Sequence, residues 1–242
     1  DSWKATAGPV LADSIHNGEV YDAREEKPGW TAPEYDDSAW AAAEVMAAPK
    51  GALRPQTIAP IRVVKTFKPR QITEPRPGVY VFAFDQNVAG RAKIRLTAPR
   101  GREIRLVYSE KIKSDGTADR HLAGLTFSGW FQEERYICKG GGPEEWASRF
   151  TYHGFRYVEV HGLAEKPTLD DMESQAMNTD FQEAGGFECS SPLLNQIQHC
   201  TRWSYRGNFL GFPTDCPTRE KKGWMRSEEH TSEPQSHHPI SY

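Results

Sequence analysis

The hydrophobic period of this chain changes near Pro167, and that change constrains the fold more than any other feature of the sequence. Between residues 60 and 163, apolar side chains alternate with charged ones at close to period two. The alternating pairs are Ile94 and Leu96, Ile104 and Leu106, Phe155 and Tyr157, and Val158 and Val160. This alternation predicts half-buried strands, and the turn sequences at 114–116 and 139–143 predict antiparallel connections between them. We therefore interpret this region as an antiparallel β-sandwich.

The region before this sandwich has a different pattern. Residues 1–59 are rich in Gly, Pro, Asp and Trp, and short apolar stretches are interrupted by turn sequences at 16–18 and 27–29. This composition is typical of the loops and edges of a β-sandwich. The sequence thus predicts a first β-sandwich domain before the second.

The region after Pro167 has a helical period. Ser191 and Pro192 match a helix N-cap followed by a first-turn proline, and the residues after them recur at spacings of three and four until Gly207 and Asn208. A helical domain is predicted to begin here. Only about sixty residues of it are present, which is too few to close a helical barrel.

Composition excludes several classes of function. The chain has 30 Lys and Arg against 33 Asp and Glu, giving a formal net charge of -3. This balance argues against a nucleic-acid-binding arm and against a polybasic membrane patch. The mean hydropathy of -0.71, without a long apolar run, argues against a membrane span. The four cysteines form no C-x-x-C pair and lack a His at zinc-ligand spacing, so we expect mostly buried small side chains, no metal and no cofactor.

The two ends of the sequence suggest a piece of a longer product. The chain begins at Asp1 without Met, a basic region or an apolar signal segment, so we expect it to start part-way through. Residues 226–242 show no apolar periodicity, and they resemble the conceptual translation of a common short-read sequencing adapter. We therefore expect a tail that is not native, and no metal site from His230, His237 and His238.

The strongest candidate for chemistry is the segment Asp215-Cys-Pro-Thr-Arg-Glu-Lys-Lys-Gly-Trp224, which we call the signature segment. Asp215 and Glu220 are carboxylates five positions apart, and Pro217 is predicted in the first turn of a helix, so both can face one pocket. Glycosidic cleavage needs one protonated carboxyl as acid and a second carboxylate that activates water or attacks the sugar.

A structural role is the commoner explanation of the same residues. Asp215 would cap a helix, Glu220 and Arg219 would form a solvated face, and Trp224 would pack in a core. The residue pattern alone leaves both interpretations open.

The signature segment resembles the sequence that opens the catalytic (α/α)6 barrel of the bacterial α-L-rhamnosidases, glycoside hydrolase family 78. Three further stretches resemble this family in the same order. They are residues 8–24 with 35–40, residues 81–90, and residues 149–160. The resemblance implies a mostly β fold, in which two antiparallel β-sandwich domains precede the first helices of an incomplete (α/α)6 barrel. The implied domains are a carbohydrate-binding-like sandwich at 1–59, a concanavalin-like sandwich at 60–165, the barrel start at 166–225 and the adapter-like tail at 226–242.

The resemblance also implies a function. It implies an inverting exo-hydrolase that removes terminal α-L-rhamnose from glycosides or polysaccharides. Glu220 aligns with the general acid of the family, and Asp215 with the carboxylate that binds the sugar hydroxyls. Arg219 and Trp224 are assigned to the pocket. The general base of the family lies beyond this sequence, so we expect the 242-residue chain itself to be inactive.

The sequence departs from the family in two places. Met225-Arg226-Ser227 stands where the family continues to a Gly-Asp pair, and Ala83 and Asp85 stand where the family commonly has Asp and Gly. The first departure removes a carboxylate that contacts the sugar.

The alternative function is carbohydrate binding without cleavage. Trp3, Trp30 and Trp40 could stack on sugar rings, although filling a core or covering a sheet edge is the commoner role of Trp in such a domain. For His153, a hydrogen-bonded structural role is favoured over a functional one.

Overall fold

The computed structural model describes residues 3–121, 131–219, 221 and 223. Within these ranges the chain forms twelve strands and one α-helix. The strands are β1 (Lys4–Ala5), β2 (Val10–Ser14), β3 (Gly18–Asp22), β4 (Ala41–Ala42), β5 (Ile61–Phe67), β6 (Gln71–Arg76), β7 (Val79–Thr97), β8 (Glu103–Ser109), β9 (Glu133–Ile137), β10 (Pro143–Trp146), β11 (His153–His161) and β12 (Met172–Thr179), and the helix is α1 (Pro192–Gly207). The predicted class, mostly β with a helix following the strands, is confirmed.

Ten of these strands form one sheet in the order β2-β3-β9-β8-β11-β7-β12-β5, with β6 and β10 also pairing with β7. The long strand β7 organises the sheet because it pairs with four others. One edge of β7 pairs with β6 and then β12, and the other edge pairs with β11 and then β10. All pairings are antiparallel except that of β3 with β9. Strands β1 and β4 form a separate two-stranded sheet.

The core of the sheet follows the predicted alternation. Ile104 and Leu106 on β8 are fully buried, whereas Arg105 between them is half-buried. Most of the large core side chains come from β7, β8, β11 and β12, and Tyr136 of β9 and Trp146 of β10 pack with them. Those of the four strands are Phe82, Phe84, Ile94, Ile104, Leu106, Tyr108, Phe155, Val158, Val160 and Met172. Burial of these apolar surfaces is the main force that holds the sheet together.

The period of two is interrupted where β11 pairs with β7. Phe155 is fully buried, but Tyr157 is only half-buried, and the inward positions resume at Val158. The pairing register between β11 and β7 shifts between Phe155 and Tyr157, which marks a β-bulge. The extra residues lie on β7, because Phe155 pairs with Val88 and Tyr157 with Ala83, so residues 84–87 stand opposite Arg156 alone. Phe155 and Val158 belong to the main core but Tyr157 does not, so the alternation predicted for Phe155 and Tyr157 does not hold.

The segment before residue 60 contributes to the same sheet as the later strands. Strand β3 pairs in parallel with β9, and Tyr21 lies in the main core. Glu19 is fully buried and accepts hydrogen bonds from the backbone N–H groups of Arg149 and Phe150, at 3.0 and 3.1 Å. Strand β5 likewise pairs with β12, beyond residue 165. Sheet pairing thus crosses both predicted domain boundaries, which remain predictions.

Helix α1 begins and ends where the sequence predicts. Pro192 is its first residue, and Ser191 occupies the N-cap position without a side-chain hydrogen bond. The side chain of Asn195 instead bonds the backbone N–H and carbonyl of Cys189, at 2.9 and 2.8 Å. Trp203 joins the helix to the sheet, because its ring packs edge-on against Phe67 and its N–H donates to a carbonyl of β7 at 2.8 Å.

Candidate functional site

The signature segment lies directly after α1 and folds back on the loop that follows the helix. The Thr214 N–H donates to the carbonyl of Asn208 at 2.7 Å, and isolated bridges pair Phe209 with Pro213 and Thr214 with Gly223. Residues 217–219 form a single turn. The helix predicted to begin at Pro217 does not extend to Lys221, because the backbone of Lys221 is left-handed, with a φ of 50°.

Two of the four predicted site residues belong to the described structure. Asp215 is exposed, and its Oδ1 accepts the N–H of Cys216 at 2.7 Å. Arg219 is half-buried, and its backbone N–H donates to the Cys216 sulfur at 3.3 Å. Glu220 and Trp224 lie outside the described residues. The prediction that Asp215 and Glu220 share one pocket therefore stays a prediction.

The signature segment is seated on the start of β11. Gly154 lies so close to it that a Cβ at this position would be 2.4 Å from the hydroxyl of Thr218 and 2.9 Å from the ring of Pro217. Lys221 donates from its Nζ to the carbonyl of Tyr152 at 2.5 Å and also to the carbonyl of Ile15. Two stretches that are far apart in the sequence, 149–160 and 215–224, are thus in direct contact.

A buried polar network lies beneath this contact. Tyr108, Gln132, Glu134 and His153 are all fully buried. The Tyr108 hydroxyl donates to Glu134 Oε2 at 2.6 Å, and the Tyr108 and His153 rings stack with centroids 4.2 Å apart. His153 lies between two partners, with Nδ1 at 2.9 Å from Gln132 Oε1 and Nε2 at 3.0 Å from Glu134 Oε1. This arrangement matches the structural role expected for His153.

Gln132 sets the direction of the hydrogen bonds in this network. Its Nε2 donates to the carbonyl of Gly154 at 3.0 Å, so its Oε1 faces His153 as an acceptor. Nδ1 of His153 must then carry a hydrogen, and the contact between Nε2 and Glu134 requires one proton between the two atoms. Burial, and then the nearby charge of Lys221, lower the pKa of His153 to about 4. The network therefore takes up no further proton near neutral pH.

Burial shifts the pKa values of two side chains close to the signature segment. Burial lowers the pKa of Lys221 to about 7, although the negative charges of Glu134 and then Cys216 oppose this effect. Burial raises the pKa of the Tyr152 hydroxyl, and the charges of Cys216 and Asp215 add to this effect. The Lys221 ammonium also lies 4.9 Å from the centre of the Tyr152 ring, which is the range of a cation–π contact.

A cleft of about 310 Å³ adjoins the signature segment. The cleft is lined by residues 86–89 of β7, by Glu110 and by the last two turns of α1. Pro217 of the signature segment also lines it. The Asn87 amide donates to Glu110 Oε1 at 2.8 Å across one wall. His199 and Cys200 line the helix side. The cleft is a place where a polar ligand could lie next to the signature segment.

The residues buried beneath this site carry little signal in the sequence. Gln132, Glu134 and Lys221 were not predicted to be buried, because polar residues in a charged run carry no hydrophobic signal. The position of Lys221 inside the signature segment was the one indication available. The cysteines also differ from expectation, because Cys138 is buried but Cys189 and Cys216 are half-buried and Cys200 is exposed.

Three further features of the described residues concern metal ligands, membrane-crossing helices and exposed tryptophans. Within the part of the chain that the structure describes, no three His, Cys, Asp or Glu side chains cluster as metal ligands. No helix in those same ranges combines the length and apolarity that a membrane crossing needs. Trp3 and Trp30 are 80% and 60% exposed, so core packing, one of the two structural roles expected for them, is wrong. Trp40 is half-buried against Tyr35, with ring centroids 5.7 Å apart.

Three family models match the chain in succession. The alpha-L-rhamnosidase N-terminal domain matches residues 1–65, and the bacterial alpha-L-rhamnosidase concanavalin-like domain matches residues 73–178. The bacterial alpha-L-rhamnosidase 6 hairpin glycosidase domain matches residues 182–236. Together these models match nearly the whole chain, and their order is the order of the regions inferred from the sequence.

Individual proteins agree with the family models. An alpha-L-rhamnosidase of Formosa agariphila is 35% identical over 229 residues, which are 93% of this chain and 24% of that protein. The solved alpha-L-rhamnosidase of Dictyoglumus thermophilum superposes with a TM-score of 0.87 at 40% identity, covering 98% of this chain and 27% of that one. The Streptomyces avermitilis alpha-L-rhamnosidase, solved in complex with L-rhamnose, gives 0.82 at 37% identity, covering 92% of this chain and 21% of that one.

The chain spans about a quarter of the length of the curated relatives it matches. Within that span, sequence motifs, fold and similarity to known proteins agree. The chain belongs to the bacterial α-L-rhamnosidase family.

Proposed function

We propose that this protein is the N-terminal part of a glycoside hydrolase that removes terminal α-L-rhamnose with inversion of configuration. The observation that carries the proposal is the seating of the signature segment on β11, since it brings together two of the motifs on which the family resemblance rests. The substrate is a rhamnose-containing glycoside or polysaccharide. The proposed organisation is a carbohydrate-binding-like sandwich at 1–59, a concanavalin-like sandwich at 60–165 and the start of the barrel at 166–225.

Each residue of the proposed site has a distinct role. Glu220 is the general acid, which protonates the leaving oxygen as the glycosidic bond breaks. Asp215 binds the hydroxyls of the rhamnose, and its exposed side chain is accessible to a ligand. Arg219 and Trp224 belong to the pocket around the sugar. No cofactor takes part in this mechanism.

The inverting mechanism needs a second carboxylate, which activates water on the opposite face of the sugar. The two carboxyl groups of inverting enzymes are separated by about 6.5–9.5 Å, which leaves room for that water. We assign no residue of this chain to that role. The 242-residue chain alone is therefore expected to leave an aryl α-L-rhamnoside intact, at the level of its Glu220→Gln variant.

A chimera tests the proposed function directly. The first 225 residues of this chain would replace the matching part of the Streptomyces avermitilis relative, which is 37% identical over this region. We expect the chimera to hydrolyse an aryl α-L-rhamnoside and to release β-L-rhamnose first, as followed by proton NMR. On an alkyl α-L-rhamnoside, whose leaving oxygen needs a proton, Glu220→Gln should reduce kcat by a factor of about 10² or more. Asp215→Asn should mainly raise KM.

Two outcomes would contradict the proposal. A folded chimera without rhamnosidase activity would remove the hydrolase function, and full activity of Glu220→Gln would remove Glu220 as the acid. Lys50→Met, at an exposed position, serves as the control variant.

The exposure of Trp3 and Trp30 favours a second candidate, carbohydrate binding without cleavage. A flat, exposed indole is a suitable platform for the apolar face of a sugar ring. Binding of the 242-residue chain to rhamnosylated glycans on an array, lost in Trp30→Ala, would support this function. Absence of binding to every such glycan would exclude it.

A further inference from the structure

We propose that Lys221 is a positioning residue that anchors the signature segment to the β-sandwich and thereby holds the neighbouring Glu220 for proton donation. The inference rests on the proposed function, because it assigns Lys221 a role that serves Glu220 as the acid. It is carried by the contacts of Lys221 with two carbonyl groups of the sandwich and by the close approach of Thr218 to Gly154.

Lys221 is unusual because it is a lysine buried to 4% exposure. Burial of a lysine is costly unless its donors are satisfied by good acceptors. Its Nζ donates to the carbonyl of Tyr152, directly before β11, and to the carbonyl of Ile15, in the turn between β2 and β3. A single side chain thus joins the signature segment to two separate parts of the sheet.

The backbone of Lys221 adopts a conformation that serves this anchoring. Its φ of 50° lies in the left-handed region, which residues other than Gly seldom adopt. Such conformations persist only where surrounding contacts hold them, and they concentrate at functional sites. The contacts that hold Lys221 here are the two carbonyl groups and the ring of Tyr152.

A second anchor lies on the other side of Glu220. Thr218 is buried against Gly154, with no space between them for even one methyl group. Because consecutive Cα atoms are about 3.8 Å apart, fixing residues 218 and 221 restricts the backbone between them. In the sequence, Glu220 lies between these two anchors. Small displacements of a catalytic group are costly because proton transfer needs hydrogen-bond geometry.

Lys221 is distinct from a catalytic residue, because its Nζ is directed to backbone carbonyls of the sandwich. Its loss should therefore reproduce, in weaker form, the loss of the acid. Leaving groups differ in their need for an acid. The leaving oxygen of an alkyl rhamnoside must be protonated before it departs. The dinitrophenolate of a dinitrophenyl rhamnoside departs without protonation. A general loss of folding would reduce hydrolysis of both substrates equally.

The test begins with the 242-residue chain and its variants Lys221→Met and Lys50→Met. Methionine keeps the length of the lysine stem and removes its donors. The rate of Cys216 modification by a thiol reagent, mapped by peptide mass spectrometry, measures release of the signature segment. We expect an increase of about tenfold or more in Lys221→Met, no change in Lys50→Met, and near-UV circular dichroism unchanged in both. Unchanged protection of Cys216 in Lys221→Met would overturn the anchoring.

The second measurement uses the chimera with the same two substitutions and Glu220→Gln. We expect Lys221→Met to lose at least about tenfold more kcat on the alkyl than on the dinitrophenyl rhamnoside, with Lys50→Met unchanged. Equal losses on both substrates would overturn the positioning role of Lys221. If Glu220→Gln itself showed no difference between the substrates, the proposed function would fail, independently of Lys221.

Discussion

Substitution of Gly154 by alanine tests the contact between the signature segment and the sheet. The new methyl group would meet the Thr218 hydroxyl at 2.4 Å and the Pro217 ring at 2.9 Å, both well inside van der Waals contact. Strand β11 has little freedom to move away, because Gly154 pairs with Ala89 of β7. The signature segment must therefore shift. Overpacking of this kind costs about 1–3 kcal/mol of the free energy of unfolding.

The assay is urea denaturation of the 242-residue chain, combined with the rate of Cys216 modification. Gly185→Ala is the matched control, because a Cβ there meets nothing within 4 Å. We expect the control to change the free energy of unfolding by less than about 0.5 kcal/mol. If Gly154→Ala were as stable as the control and Cys216 equally protected, the contact between the segment and β11 would be refuted.

Three further predictions concern buried polar groups. Tyr108→Phe removes the hydroxyl that donates to Glu134, and we expect denaturation to show a loss of about 1–3 kcal/mol. The pKa of Lys221 is about 7 in the folded chain and 10.5 as its ordinary value, so the unfolded chain binds more protons between these values. The stability of the parent relative to Lys221→Met should therefore rise with pH across this window, by up to about 1.4 kcal/mol per pH unit. A flat difference across the window would contradict the burial of the amine. Burial, and then the charge of Glu144, raise the pKa of Cys138 to about 12, so at pH 8 the exposed Cys200 should react with thiol reagents first and Cys138 last.

Much of the fold follows from hydrophobic period alone. The strands at 79–97, 103–109 and 153–161 coincide with the alternating segments, and α1 begins at Pro192 and ends at Gly207 as its capping pattern predicts. These elements are predictable because, in each of them, the spacing of the apolar residues along the segment indicates the face that is buried. The register shift between β7 and β11 is not predictable, since it depends on the pairing of two strands.

The buried polar residues beneath the candidate site cannot be predicted from hydrophobic period. Gln132, Glu133 and Glu134 form a run of polar residues, yet each is exposed by 2% or less. Their burial depends on partners that are distant in sequence, such as Tyr108 and His153. Hydrogen bonds between such partners become apparent only when the chain is folded. The resemblance to the family identified the signature segment, whereas the structure was needed to show what the segment is seated on.

The most direct test of the proposed function is the dependence of hydrolysis on the leaving group in the chimera with Glu220→Gln. If Glu220 is the general acid, kcat/KM for an alkyl α-L-rhamnoside should fall by a factor of about 10² to 10⁴. The value for a dinitrophenyl α-L-rhamnoside should fall far less, because its leaving group needs no proton. Equal falls for both substrates, or no fall at all, would contradict the assignment of this chain as the acid-bearing part of a rhamnosidase.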